Sequence, residues 1–388
     1  MTTTTRSVIS RPGAPVQAVS GLVAQLSQGA AAIGIVLVVG AHTGSVALAG
    51  AVAGAVSIAA GVARPLQGRL MDRRGLAALN AVCGIVHPGA LIAIVLMSAD
   101  DGPHGLLLVL GVIAGLALPP ISTAMRVAWG EAAGDDDRTA AYSMVYLVQE
   151  LSLLTAPLIF AVLTATTSAA AGLVVVAALS GAGTLAFAAS ARSVRTMQEP
   201  RRHHRGSILR IGRMRMLLAS AGAIGAVIGG IQVGVPTLAT AHHKPAAAGL
   251  LVAMLSIGGI AGAAAYGSRQ WAADPVARLL SVTAALTACA AAMVAAEGLV
   301  VVGLLLLLVG LVLNPALTTL SLLVDRLTPE PTAAEAFGWL STGIAAGTGA
   351  AAAIAGALVQ HGEAARPAFA VAAVAAASAA LLALALRR

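Results

Sequence analysis

Few residues in this sequence could carry chemistry, and the most informative is one carboxyl. Glu150 interrupts the apolar run SMVYLVQELSLLTAPLIFAV. A charge at the centre of a bilayer costs at least about 2.5–3.5 kcal/mol on insertion scales, so a carboxyl there needs a reason. Two readings fit. Glu150 binds and releases a proton or contacts a substrate, or it is a structural carboxyl bonded to neighbouring helices and paired with Arg126. Arg126 closes the apolar run that contains Pro119 and Pro120, where it either faces a central cavity or snorkels to the interface. Glu335 opens another apolar run, where a carboxylate suits a helix N-terminus. His87 stands mid-run before Pro88, more simply a structural group than a titrating one. Other chemistries are poorly served. The pairs His203-His204 and His242-His243 have no acidic cluster beside them. Cys83 and Cys289 lie in apolar segments, with no metal-type spacing. There is no GxxxxGK[ST] loop for ATP. An integral enzyme, a metal or organic cofactor and an ATP-driven pump are therefore disfavoured.

The elements that must position Glu150 follow from composition. Of 388 residues, 59% are hydrophobic and 10% charged, and the mean hydropathy is +0.92. A soluble chain carries about 25% charged residues, so too few charges remain to cover a water-facing surface. A membrane helix takes about 20 mostly apolar residues. The apolar runs predict an all-α polytopic membrane protein of twelve transmembrane helices, near 16–40, 44–64, 76–98, 105–126, 140–163, 170–191, 215–239, 246–267, 277–296, 299–323, 334–358 and 367–386. The first run is too long for a signal-peptide core and is expected to be retained. Glu150 then lies about ten residues into helix 5, roughly 15 Å along it at 1.5 Å per residue.

Charge sets the orientation. With both termini in the cytoplasm, all but Lys244 and Arg366 of the 23 basic residues fall on the cytoplasmic side or at helix ends there. That is the positive-inside pattern, and it supports an even number of spans. It also accounts for the pI near 10.9 without nucleic acid. The expected location is the inner or plasma membrane, multi-pass. The longest interruption contains RSVRTMQEPRRHHRG. It divides the chain into a tail at 1–15, a six-helix bundle at 16–191, a basic linker at 192–214 and a second bundle at 215–388. The linker is read as solvated, with contact to anionic headgroups as the alternative. Weak repeats relate the bundles: GLALPPIST at 115–123 with GLVLNPALT at 310–318, RTAAYSMVY at 138–146 with PTAAEAFGW at 331–339, and Ser57-Ile58 with Ser256-Ile257. Parallel halves with a site between them are a known transporter plan.

Between helices 2 and 3 stands Gly68-Arg69-Leu70-Met71-Asp72-Arg73-Arg74-Gly75. Gly68 allows close helix approach, and Asp72 can meet an arginine or a helix N-terminus. This segment resembles the signature loop of the major facilitator superfamily. The resemblance extends over essentially the whole chain, nearest to compact bacterial drug or metabolite efflux members. It implies the twelve-helix fold with two pseudo-symmetric six-helix bundles. It also implies that Gly68, Arg69, Asp72, Arg73 and Gly75 form a cytoplasmic gating loop. The matching segment at 267–271 is degenerate. In helix 5, family exporters carry a Gly-Pro stretch; here Ala156-Pro157 keeps the proline, with small residues at 152, 156 and 161, but no glycine, and Phe160 departs from the pattern.

In this family helices 1, 4, 7 and 10 line the cavity. The resemblance therefore makes Gln25, Gln28, Ser122, Thr123, Gln232, Asn314, Thr318 and Thr319 candidates for substrate contact, with hydrogen bonding between helices as the other reading. Trp339 is expected near the cavity, and Trp129 and Trp271 in loops. The leading expectation is a monomeric, proton-coupled exporter of a small organic molecule. Alternatives are uptake or facilitated diffusion of a metabolite such as a sugar, and a non-transporting receptor or integral enzyme.

Overall fold

The computed structural model describes residues 13–99, 103–134, 137–194, 208–329, 332–359 and 365–387, and these contain helices and no strand. Twelve helices are long and apolar enough to span a bilayer. They are α1 (Ala14–Thr43), α2 (Val46–Arg74), α3 (Leu76–Ala99), α4 (His104–Ala132), α5 (Arg138–Thr166), α6 (Ala169–Val194), α7 (Gly212–Ala241), α8 (Ala247–Gly267), α9 (Pro275–Ala295), α10 (Leu299–Leu327), α11 (Ala333–Val359) and α12 (Arg366–Leu386). Large apolar side chains such as Val46, Ile58, Val300, Val374 and Leu381 point outward, as a lipid-facing surface requires.

The packing repeats. In the first half α1 packs on α5 and α6, α2 on α4, and α3 on α6; in the second, α7 packs on α11 and α12, α8 on α10, and α9 on α12. Across the halves α2 meets α11, and α5 meets α8. Adding six to each helix number maps one set onto the other, which is the pseudo-twofold arrangement of two six-helix bundles.

Three expected boundaries are corrected. Helix 2 does not stop at residue 64. Pro65, Gln67, Gly68 and Met71 are buried, so the polar segment continues as an amphipathic helix to Arg74. The expected loop is thus the last turns of α2, and the turn is Gly75, whose φ of 87° favours glycine. Helix 4 is not continuous. It consists of His104–Leu116 and Ile121–Ala132, because Pro119 and Pro120 supply no amide hydrogen. Helix 1 likewise steps at Gln25 between Ala14–Ala24 and Leu26–Thr43. By contrast, α10 runs unbroken through Pro315. The repeat that aligns Pro120 with Pro315 therefore has different consequences: one proline removes a single bond, two in succession open the helix.

Backbone groups released in an apolar surrounding must find partners inside the protein. At the α4 break, Gln67 Nε2 donates to the carbonyls of Leu116 at 2.9 Å and Leu118 at 3.0 Å. Arg64 Nη1 donates to Leu118 O at 3.3 Å. His87 Nδ1 bonds Ala114 O at 2.8 Å. At the α1 step, Ser180 Oγ on α6 donates to Ala24 O at 2.6 Å. His87 is thereby placed as a structural clamp.

We expect Gln67→Leu to leave Leu116 O unsatisfied and Leu118 O with only its longer bond from Arg64, and to destabilise the protein by about 1–3 kcal/mol, the cost of stranding a buried acceptor. Thermal unfolding of the detergent-solubilised protein checks this. The lipid-facing change Val300→Leu should leave the midpoint unmoved.

Candidate functional site

Glu150 lies midway along α5, where that helix crosses α8 and α10. Asn314 Nδ2 on α10 donates to its Oε1 at 3.3 Å and to Gly259 O of α8 at 2.9 Å. The Ser256 hydroxyl on α8 lies near the carboxyl as well. Gly259 lets α8 approach: a methyl there would lie 3.1 Å from the Glu150 carboxyl carbon. Glu150 is half-buried. Its partners here are neutral, and they all belong to the other half of the molecule.

The pairing of Glu150 with Arg126, one of the two readings of that carboxyl, does not form. Arg126, 2% exposed, sits nearer the end of the bundle that gathers the arginines. Its guanidinium stacks over Tyr146 of α5 at 4.8 Å and Phe337 of α11 at 5.9 Å. Its Nε and Nη1 have no hydrogen-bond partner among the described residues. The stacking holds the cation inside the protein, so it neither snorkels to water nor reaches the carboxyl.

From Glu150 to the basic end the halves are sealed. Tyr146 OH meets Ser321 Oγ at 3.0 Å, and Tyr142 packs edge-on against Phe337 at 5.7 Å. Ser143 Oγ donates to Thr318 Oγ1 at 3.5 Å. Arg138 pairs with Asp325 at 2.8 Å. On the α2–α11 side, Asp72 Oδ1 accepts from Ala334 N at 3.0 Å and Oδ2 from Glu335 N at 2.9 Å. Its carboxylate thus caps a helix of the opposite half. Arg69 Nη2 pairs with Glu335 Oε1 at 2.9 Å. Methyl groups at Gly68 and Gly338 would overlap the carbonyls of Ala334 and Arg64, so both glycines are needed for this approach. At mid-membrane Thr342 Oγ1 donates to Gly61 O at 2.8 Å, the carbonyl that Pro65 leaves without its helical partner.

Toward the opposite end the halves part. A methyl at Gly50 or Gly54 of α2, or at Gly349 or Gly356 of α11, would meet open space. The first half's core at that end, around Ile35, Val52, Leu91 and Leu173, is separate from the core that joins the halves through Tyr142, Phe337 and Leu340. Among the described residues the halves meet at the basic end and part toward the other.

The sequence profile of the Major Facilitator Superfamily matches residues 18–339. The chain belongs to this superfamily. Solved structures that share its fold include the following three. A bacterial homologue of the iron transporter ferroportin, in an outward-facing state, has a TM-score of 0.79 at 14% identity, with 97% of this chain and 99% of that one covered. The human organic anion transporter MFSD10 (TETRAN) gives 0.75 at 15% identity, covering 97% and 100%. The E. coli fucose:proton symporter FucP gives 0.71 at 14% identity, covering 97% and 98%. No curated protein matches the sequence. The superfamily consists of transporters rather than enzymes, so this chain is a multi-pass membrane transporter of a small-molecule substrate.

Within that frame the sequence candidates separate. Of the gating segment, Gly68, Arg69 and Asp72 meet α11, Gly75 ends α2, and Arg73 is exposed. Asn314 is brought to Glu150. Gln25, Thr123, Thr318 and Thr319 are enclosed between helices in this conformation, at 1% exposure or less. Gln25 Nε2 turns back onto Gly21 O at 3.0 Å. Gln28 is half-buried and Gln232 exposed. One tryptophan expectation changes. Trp339 is half-buried on α11 and donates to Glu335 Oε1 at 3.4 Å. Trp129 is buried in α4 and donates to Gln17 Oε1 at 2.8 Å; it is not in a loop. On α5, Ala156 packs against Gly29 of α1, and Phe160 fits against Gly34 of α1 and Gly172 of α6. The glycines missing from helix 5 stand on the helices it touches.

Sequence reasoning missed Thr342, Tyr146, Ser256 and the Arg138–Asp325 pair. Pro65 was the available signal for Thr342, because an interior proline implies an orphaned carbonyl four residues earlier.

Asp72→Ala removes a cap shared by two amides. We expect the closed basic end to lose about 0.5–2 kcal/mol, the usual worth of a capping side chain. With Cys83 and Cys289 replaced by Ser, a Cys at position 143 should then react faster with a membrane-impermeant maleimide added from the basic side. Unchanged labelling would remove Asp72 from the gate.

Proposed function

We propose that this protein is a secondary active transporter that exports a small organic compound by alternating access, driven by protons taken up at Glu150. The observation that carries the reading is a mid-membrane carboxyl whose partners are neutral and belong to the opposite half. Such a carboxyl has no fixed counter-charge, and a proton is the simplest way to relieve its charge in an apolar setting. The basic end is the cytoplasmic side by the positive-inside rule, so the conformation described here opens outward. On this reading residues 16–191 and 215–388 rock as two bodies, joined by 192–214, and Asp72, Arg69, Glu335, Arg138 and Asp325 close the cytoplasmic side. The fold accommodates proton coupling, as the structurally similar fucose:proton symporter shows for itself. Export is supported by the Ala156-Pro157 stretch with its small residues, complemented by Gly29, Gly34 and Gly172 across the interface.

The test is accumulation of labelled drugs and metabolites in efflux-deficient cells, with wild type and Glu150→Gln compared with and without a protonophore. Wild type should lower accumulation of at least one compound. The protonophore, or Glu150→Gln, should return it to the level of cells lacking the protein. Raised accumulation in wild type would reverse the direction to uptake, and full transport by Glu150→Gln would remove Glu150 from the coupling.

A further inference from the structure

Away from the interface between the halves, the second half holds a cavity of about 300 Å³ at the basic end. It lies where α7 and α9 begin and α10 and α12 end. Its walls are of two kinds. Arg213, Arg326 and Arg387 stand around it, while Leu217, Leu323 and Leu386 are among the apolar side chains lining it. The volume is at the lower limit of ordinary ligand pockets. Asp274 also lines it, but its carboxylate is engaged by its own helix, accepting from Val276 N at 2.9 Å and Ala277 N at 3.4 Å. Arg213 Nη2 donates to Leu386 O at 2.8 Å, which holds the end of α12 against the start of α7.

Interfacial arginines are explained in general by topology, and scattered ones need nothing more. Three that converge on one partly apolar cavity at the ends of four spans ask for an occupant. The lining is complementary to a ligand with an anionic head and a greasy continuation, and the ends of membrane spans are where a bilayer's headgroup region begins. We propose that this cavity binds the phosphate of an anionic phospholipid, with Arg213, Arg326 and Arg387 on the phosphate oxygens and the leucines against the glycerol and first methylenes. Guanidinium suits this role because its planar donors match phosphate oxygens in pairs. The site is independent of the export reading. Its neighbour in sequence to Arg326 is Asp325, which pairs with Arg138 of the first half, so the bound headgroup lies one residue from the closed gate.

The full-length protein, purified in detergent, is titrated with dioleoylphosphatidylglycerol, with dioleoylphosphatidylcholine, and with inorganic phosphate, and bound lipid is read by native mass spectrometry and by thermal stabilisation. Phosphatidylglycerol should be retained in preference to phosphatidylcholine. Each cavity arginine removed should weaken it about fivefold, and Arg326→Gln with Arg387→Gln about twenty-five-fold, from the attraction of one basic residue to an anionic surface. Arg74→Gln with Arg269→Gln removes the same charge elsewhere on that face and should change binding by less than about twofold. If the double variant does not fold, Arg387→Gln alone retains the test, since it leaves the Arg213 bond to Leu386 intact. Equal retention of the two lipids, an equal loss in the control pair, or full displacement of phosphatidylglycerol by inorganic phosphate would each overturn the proposal.

Discussion

Every backbone amide and carbonyl inside a bilayer must be satisfied by the protein itself, and this constraint organises the molecule. A regular helix meets it locally. Each proline or step that interrupts a helix creates a debt-free exception only if another helix supplies a partner. At the α4 break the partners are Gln67, Arg64 and His87, and at the α1 step Ser180. These lie within the first half and fix its shape. Three other orphaned groups are satisfied from across the molecule. Gly61 O, released by Pro65, takes Thr342, and the first amides of α11 take Asp72. The same rule that makes the halves rigid makes the contact between them specific.

Contacts of this kind suit a gate. Interhelical hydrogen bonds in membranes average about 0.6 kcal/mol, because the separated state also finds partners. Gly61, Ala334 and Glu335 sit at the surface between the halves, where water can take over when they part. The glycines at 68 and 338 let two helix backbones touch without interdigitated side chains. Such a surface can separate without repacking a core. The apolar contact is likewise confined: the core joining the halves passes through Tyr142, Phe337 and Leu340, while the first half keeps its own core toward the open end.

Much of this was legible in the sequence. Span number, the split into two bundles and the place of the signature segment follow from hydropathy, charge asymmetry and one motif. For Asp72 the sequence leaves an arginine or a helix N-terminus as the partner; it does not say that the partner is a helix N-terminus, nor that the helix belongs to the other half. What stayed hidden has a common cause. Hydropathy does not distinguish a buried amphipathic turn from a polar loop, so α2 was ended ten residues early. The repeat aligns Pro120 with Pro315 but does not show that Pro119 makes the first a break while α10 runs on through the second. One of the two readings of Glu150 pairs it with Arg126, because opposite charges in an apolar phase attract. Tyr146 and Phe337 instead offer the cation aromatic faces, and Asn314 and Ser256 occupy the carboxyl. Pairings among a dozen helices are tertiary facts, and a single sequence carries no record of them.

The place of Glu150 ties the two parts of the proposed mechanism together. It stands at the upper limit of the sealed region, and its partners Asn314, Ser256 and Gly259 lie across the interface. An ionised carboxylate can only accept hydrogen bonds, while a protonated one both donates and accepts. Asn314 spends one amide nitrogen on both Glu150 and Gly259 O, and its own Oδ1 is buried without a partner among the described residues. A proton on Glu150 would give that side a donor, so the charge state of one carboxyl changes how many bonds α5 can make to α8 and α10. On the proton-driven reading, this is where protonation gains leverage over the gate: the group that takes the proton is itself one of the contacts that must form and break as the halves move.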